Sequence, residues 1–293
     1  MIRFAALGDS VTSGYGDPMP GGGRRGWAAL LADALPSDTD FHNLAVSGAR
    51  IGDVAERQLP AALDLRPHLA SVLIGMNDTL RGDFDPRVLG RSLTHMVAAL
   101  SATGATVLTA RLPDPGRMFG LPGVIARPLG RRMNALNDVL DEIADTHDTI
   151  HVDLAGAAYA RTNWSVDRLH PSERGHRLLA HRFAGALREA GHPVRHLPGL
   201  AATNPEPSLG ERVWWMATKG NRWLLRRSTD LLPTLAQLAA RECLTTLSTL
   251  RHARAEDAAR VRHSPVAPGS LSPASAARIE TPARSRRRSR SAA

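Results

Sequence analysis

The sequence predicts an α/β fold: a five-stranded parallel sheet covered by helices on both faces, then a helical extension and a basic tail. Three observations predict it. Short apolar runs alternate with helix-like stretches five times over the first 200 residues, the pattern of parallel strands joined by crossover helices. The chain is 43% apolar over 293 residues, enough for a sizeable core. Residues 1–200 hold 21 basic and 21 acidic residues, so the whole net charge of +9 falls in residues 201–293. A neutral folded region and a basic end are thereby separated.

The elements follow in order. Ile2–Leu7 reads as a buried strand, and a Gly-rich stretch follows it through Gly26. Trp27–Leu35 reads as a helix that stops at Pro36, and Phe41–Val46 as the second strand. Ile51–Leu63 is helical with a break near Pro60, where a ring replaces an N–H. Ala70–Ile74 is the third strand. Asp85-Pro86 opens a helix to about Leu100, with proline in the favoured first turn. Ala105–Ala110 is the fourth strand, Leu112–Pro128 a long loop, and Leu129–Asp145 a helix. Thr149–Leu154 is the fifth strand and Pro171–Ala190 the last helix of this region.

Beyond it the composition changes. Pro, Gly, Asn and Ala mark a linker, and Arg212–Arg227 sets Trp214, Trp215 and Trp223 among basic residues. Asp230 caps a helix running to about Ala259. Pro, Ser, Ala and Arg dominate from Ser264, ending in Ala283–Arg290, with too little apolar surface to offset chain entropy. The expected division is therefore 1–198 for the catalytic domain, 199–263 for linker and helical basic extension, and 264–293 for a disordered Arg/Ser/Pro-rich tail.

Composition also excludes function classes. The one cysteine, Cys243, rules out an intrachain disulfide and a multi-cysteine zinc site. No window approaches the roughly 18 unbroken apolar residues of a membrane span. With Met1 as the true start there is no secretory leader. The expected location is cytoplasmic, with peripheral association at an anionic membrane surface through the C-terminal extension as the alternative. A basic tail of this kind carries no expectation of specific nucleic-acid binding.

Four short motifs carry chemistry. Gly8-Asp9-Ser10 follows the first strand, at the sheet edge where ligands of open parallel sheets bind. Ser47-Gly48-Ala49-Arg50 follows the second, where a glycine lets backbone approach a ligand. Gly75-Met76-Asn77-Asp78 follows the third, and an Asn amide can donate to developing negative charge. Asp167-Arg168-Leu169-His170-Pro171 supplies a base for the serine and an acid three residues earlier to orient it. The other eleven histidines lack such a setting. His176 and His181 read as packing or surface groups, and His147 and His151 flank the fifth strand with no serine partner.

These four blocks, in this order, resemble those of the SGNH (GDSL-type) hydrolase/esterase family across about residues 1–190. The resemblance implies a three-layer, flavodoxin-like α/β/α sandwich and ester hydrolysis through an acyl-enzyme, with no cofactor and no metal. It implies Ser10 as nucleophile, His170 as general base and then acid, and Asp167 as its orienting partner. The oxyanion hole it implies is the backbone N–H groups of Ser10 and Gly48 with the Asn77 amide. Val11 stands where the family has leucine. Asp9, Met118 and Phe119 are the candidate substrate contacts. Arg24 and Arg25 read as solvated surface charges, with an anionic substrate group as the alternative. The expected substrate is a small-molecule or lipid ester with a small or medium acyl group. A thioesterase, a lysophospholipase, a carbohydrate deacetylase or a surface-binding module with an ancillary hydrolase domain remain as alternatives.

Overall fold

The computed structural model describes residues 1–19, 21–156, 160–204, 210, 218 and 231–262. The Trp-rich basic run 212–227 and the tail 264–293 lie outside the described residues, apart from Thr218. The chain divides into two units, Met1–Leu247 and Ser248–Ala293.

Five strands form one sheet: β1 (Arg3–Gly8), β2 (Asp40–Asn43), β3 (Leu69–Leu73), β4 (Thr106–Arg111) and β5 (Ile150–Asp153). Their order is β2-β1-β3-β4-β5, and every neighbouring pair is parallel. The β1 and β3 strands are buried along nearly their whole length, as near-continuous apolar strands of a doubly covered sheet should be. β2 is shorter than its apolar run. Leu44 and Val46 still donate to Ala6 and Gly8 carbonyls, but the Asn43 side chain captures the Ala45 N–H and donates to Thr12. That Asx turn ends the regular strand.

The helices are α1 (Gly26–Ala34), α2 (Ile51–Asp53), α3 (Leu59–Leu65), α4 (Met76–Thr79), α5 (Pro86–Ala102), α6 (Pro115–Phe119), α7 (Gly123–His147), α8 (Glu173–Glu189) and α9 (Leu231–Arg262). The predicted break near Pro60 is a π-helical turn, Val54–Gln58, joining α2 to α3. The Asp85 carboxylate accepts from Arg87 N at 2.9 Å and caps α5, with Pro86 in its first turn.

The expected loop 112–128 is instead largely helical. Asp114 caps α6 by accepting from Gly116 N at 2.7 Å, and Pro115 fits the first turn where its missing N–H costs nothing. Gly120 closes α6 in the left-handed region. α7 then starts at Gly123 and runs through Pro128, which removes only one bond of its second turn.

One apolar core fills the space between sheet and helices, with Phe4, Leu7, Trp27, Leu31, Met96 and Phe183 among its fully buried side chains. Trp27 of α1 stacks on Phe183 of α8 at 4.8 Å. Among the described residues no helix is long and apolar enough to cross a membrane.

Candidate active site

The carboxyl ends of β1, β2 and β3 deliver three of the four motifs, and the turn before α8 delivers the fourth. His170 Nε2 lies 2.9 Å from Ser10 Oγ, across 160 positions of sequence. His170 Nδ1 donates to Asp167 Oδ2 at 2.6 Å. With Nδ1 carrying that hydrogen, Nε2 is left as the acceptor for the Ser10 hydroxyl. Ser10 and His170 are buried, at 8% and 6% exposed, so their contact lies in low dielectric.

Asp167 is satisfied from every side. Its Oδ1 accepts from the Ser165 hydroxyl at 2.6 Å and from Leu169 N and His170 N at 2.9 and 3.0 Å. Burial alone would raise its carboxyl, but the bond from His170, the imidazole charge and these donors hold it below the usual carboxylate range. The turn that gathers them places Arg168 at φ +54, a left-handed backbone that a bulky residue seldom adopts.

Several contacts hold the segments that carry Ser10 and His170. The buried Gln58 side chain in the π-helical turn bonds both sides of Gly8, accepting from its N–H and donating to its carbonyl at 2.9 Å each. That pins the end of β1 directly before Asp9-Ser10. Gly16, at φ +101, presses on the Pro171 carbonyl so closely that a Cβ would stand 2.0 Å from it. The Tyr15 ring lies 4.3 Å from the His170 ring, and Arg24 sits 4.3 Å over the same Tyr15 ring. His176, fully buried, accepts from Trp27 N through Nδ1 at 3.1 Å. Its Nε2–H therefore donates to the Tyr15 carbonyl at 2.9 Å, and burial pushes its pKa down to about 4, which keeps it neutral.

The candidate oxyanion donors lie close in the fold. Gly48 has φ +85 and open space where a side chain would be, so its backbone conformation is what calls for glycine. Its neighbour Ala49 offers a carbonyl to the Asn77 amide at 2.9 Å. The same amide donates to Asp9 Oδ2 at 3.2 Å. Asp9 also accepts from Val11 N, and burial drives its pKa up to about 6. Asp78 beside Asn77 is raised to about 6 by burial as well, although Ile51 N and Arg50 donate to it.

A pocket has Asp9, Val11, Leu169 and Pro171 among its lining residues. These four flank Ser10 and His170. Its walls are apolar, among them Leu73, Ile74, Leu112 and Met118. Met118 and Asp9 thus line it, whereas Phe119 does not. Successive side chains on a helix point about 100° apart, and Phe119 turns instead onto Leu80, Leu129 and Leu238.

Sequence reasoning missed several residues that brace this region. Arg25 is not a solvated charge: it bridges Asp17 at 3.0 Å and Glu173 at 2.8 Å. Glu173 also accepts from Arg177, Thr203 and Asn204, and these donors hold it well below its ordinary value despite burial. Gln58 left one signal, a polar residue at a core-facing helical position. His151 bonds Thr109 at 2.8 Å and Asp141 at 3.2 Å, away from Ser10's partners. Among the described residues no group of three His, Cys, Asp or Glu side chains is arranged to hold a metal ion.

The model of the GDSL-like Lipase/Acylhydrolase family matches residues 6–178. An acetylxylan esterase of Geobacillus stearothermophilus is 27% identical over 161 residues, 51% of this chain and 71% of that protein. The thioesterase 1/protease 1/lysophospholipase L1 of Escherichia coli K12 is 27% identical over 188 residues, 62% of this chain and 81% of that protein. The crystal structure of TesA superposes with a TM-score of 0.52 at 26% identity, over 64% of this chain and 98% of that one.

Proposed function

The chain belongs to the GDSL-like lipase/acylhydrolase family and is a hydrolase, and from that premise we propose that it is a serine esterase that cleaves carboxylic esters of medium acyl length. The observation that carries the reading is the Asp167–His170–Ser10 relay, at 2.6 and 2.9 Å. Ser10 Oγ attacks the ester carbonyl while His170 Nε2 takes its proton. The carbonyl oxygen becomes an oxyanion, stabilised by Ser10 N–H, Gly48 N–H and the Asn77 amide. The tetrahedral intermediate collapses, His170 gives its proton to the departing alkoxide, and Ser10 keeps the acyl group. Water, deprotonated by His170, then attacks the acyl carbonyl, and as that intermediate collapses His170 returns the proton to Ser10 Oγ and the acid leaves. Asp167 holds the productive tautomer throughout.

The apolar walls favour an aliphatic acyl chain over an acetylated sugar, because a hydroxyl-rich glycan would leave its polar groups without partners there. The same observation supports a second reading, a thioesterase or lysophospholipase on the same machinery. That reading also draws on the activities after which the Escherichia coli relative is named. We assign the reaction to residues 1–198, and its setting to the cytoplasm, where an exposed free thiol such as Cys243 stays reduced. A series of p-nitrophenyl esters, acyl thioesters and acetylated xylo-oligosaccharides, each with Ser10→Ala as control, tests the assignment. The highest kcat/KM on a medium-chain ester supports it, and a preference for the acetylated sugar overturns the acyl assignment.

A further inference from the structure

Residues 231–247 lie beyond the family match, which ends at residue 178. They nevertheless touch both segments that border the proposed acyl site. Leu238 is buried with Leu80 and Leu129, and Leu235 packs on the same cluster with Phe119, Leu121 and Ile125. Leu80 follows the α4 turn that carries Asn77, and Phe119 follows Met118 of the pocket wall. The Thr234 hydroxyl stands 3.6 Å from where a side chain on Gly82 would be.

Charge closes the contact further along the same helix. Glu242, only 9% exposed, binds Arg127 at 3.0 Å and Arg131 at 2.5 Å, both on α7. The next residue of α7, Arg132, donates to the carbonyls of Thr79 and Arg81 at 3.0 and 2.6 Å and so holds the end of the Asn77 turn. One stretch of α9 is therefore fastened to α7 by Glu242 and to the pocket-wall and Asn77 segments by its leucines.

We propose that residues 231–247 form a specificity-determining brace, which sets the shape of the Met118 wall and so selects the acyl chains that fit. The proposal rests on the esterase reading above. Leu238 and Glu242 are positioning residues, for they reach substrate only through Phe119, Met118 and α7. Removing Leu238 opens space behind Phe119 and lets the wall relax away from a chain lying against Met118. A short acyl group that does not reach the wall is indifferent to that change. A lesion that merely loosens the fold, by contrast, affects all substrates alike.

The test compares kcat and KM for p-nitrophenyl acetate, butyrate and octanoate in the full chain, Leu238→Ala and Glu242→Arg, with melting temperature read in parallel. Leu238→Ala should raise KM for the octanoate ester about fivefold relative to the acetate ester, whose constants stay within about twofold. Glu242→Arg should do the same, and adding Arg127→Glu with Arg131→Glu should restore the wild-type chain-length profile. Folded variants with an unchanged profile, or with equal losses on acetate and octanoate, overturn the brace. Should Leu238→Ala fail to fold, the charge reversal and its restoration decide alone. A Ser10→Ala enzyme with wild-type turnover would fail the esterase reading itself, a result distinct from either outcome.

Discussion

The Asn77 side-chain amide donates to the Asp9 carboxylate at 3.2 Å while its second N–H donates to the Ala49 carbonyl at 2.9 Å. Both hydrogens of the proposed oxyanion donor are thus committed before substrate arrives. Asp9 holds the amide beside the serine turn, and in the proposed mechanism a forming oxyanion takes over the shared hydrogen. In Asp9→Asn an NH₂ group can stand where Asn77 finds a carboxylate oxygen, which sets donor against donor. We expect kcat to fall about tenfold or more with a smaller change in KM, since the lost interaction matters in the transition state. Steady-state kinetics on a p-nitrophenyl ester reads the split.

The same residue has a signature in stability. Burial pushes Asp9 and Asp78 up to about 6, above the unfolded value near 4. A raised carboxyl binds its proton more tightly in the native state, so its contribution to stability is full below about pH 4 and is lost as pH rises through about 6. Asp167 is shifted the other way, and its contribution is present above about pH 4 and lost on acidification. In Asp9→Asn the part of the melting temperature that wild type loses between about pH 4 and pH 7 should therefore shrink. Calorimetry across that range checks it, and an identical decline counts against the shift.

Asp167→Asn tests tautomer control. An amide in place of Oδ2 can donate to Nδ1, which moves the ring hydrogen to Nε2 and removes the acceptor for Ser10. We expect kcat to drop by roughly 10²- to 10⁴-fold while circular dichroism stays native. An activity within about threefold of wild type would deny Asp167 that role.

Gln58→Leu tests the anchor of β1. The change leaves the N–H and carbonyl of Gly8 without their amide partner in a buried site. The carbonyl keeps its bond from Val46 N, so the N–H is the group left unpaired; such an orphan costs about 1–3 kcal/mol, and denaturant unfolding should show a loss of that size. Tyr15→Phe keeps the ring against His170 and should retain activity, whereas Tyr15→Ala should lower kcat more than it raises KM.

Much of this was legible in the sequence. Parallel strands need crossover helices, so the alternation revealed all five strands and their covering. Each candidate motif directly follows a strand or precedes a helix, which is why Ser10, Gly48, Asn77 and His170 stood out. What escaped was tertiary. Residues 115–119 and 123–128 read as loop because prolines and glycines dominate there, yet Asp114-Pro115 is a helix start. Arg25 and Glu173 are 148 positions apart, and nothing local in either announces a buried ion pair. Met118 and Phe119 both read as substrate contacts, but the helical turn sends Met118 to the pocket and Phe119 to the Leu80, Leu129 and Leu238 cluster.

The central claim is an activated Ser10. A fluorophosphonate probe reacts only with a serine whose proton has a base to go to. Mass spectrometry of the labelled full chain should find one adduct, on the peptide containing Ser10, and none in Ser10→Ala or His170→Ala. Labelling that persists in folded Ser10→Ala, or a wild-type protein that takes no label while it hydrolyses ester, would contradict the account.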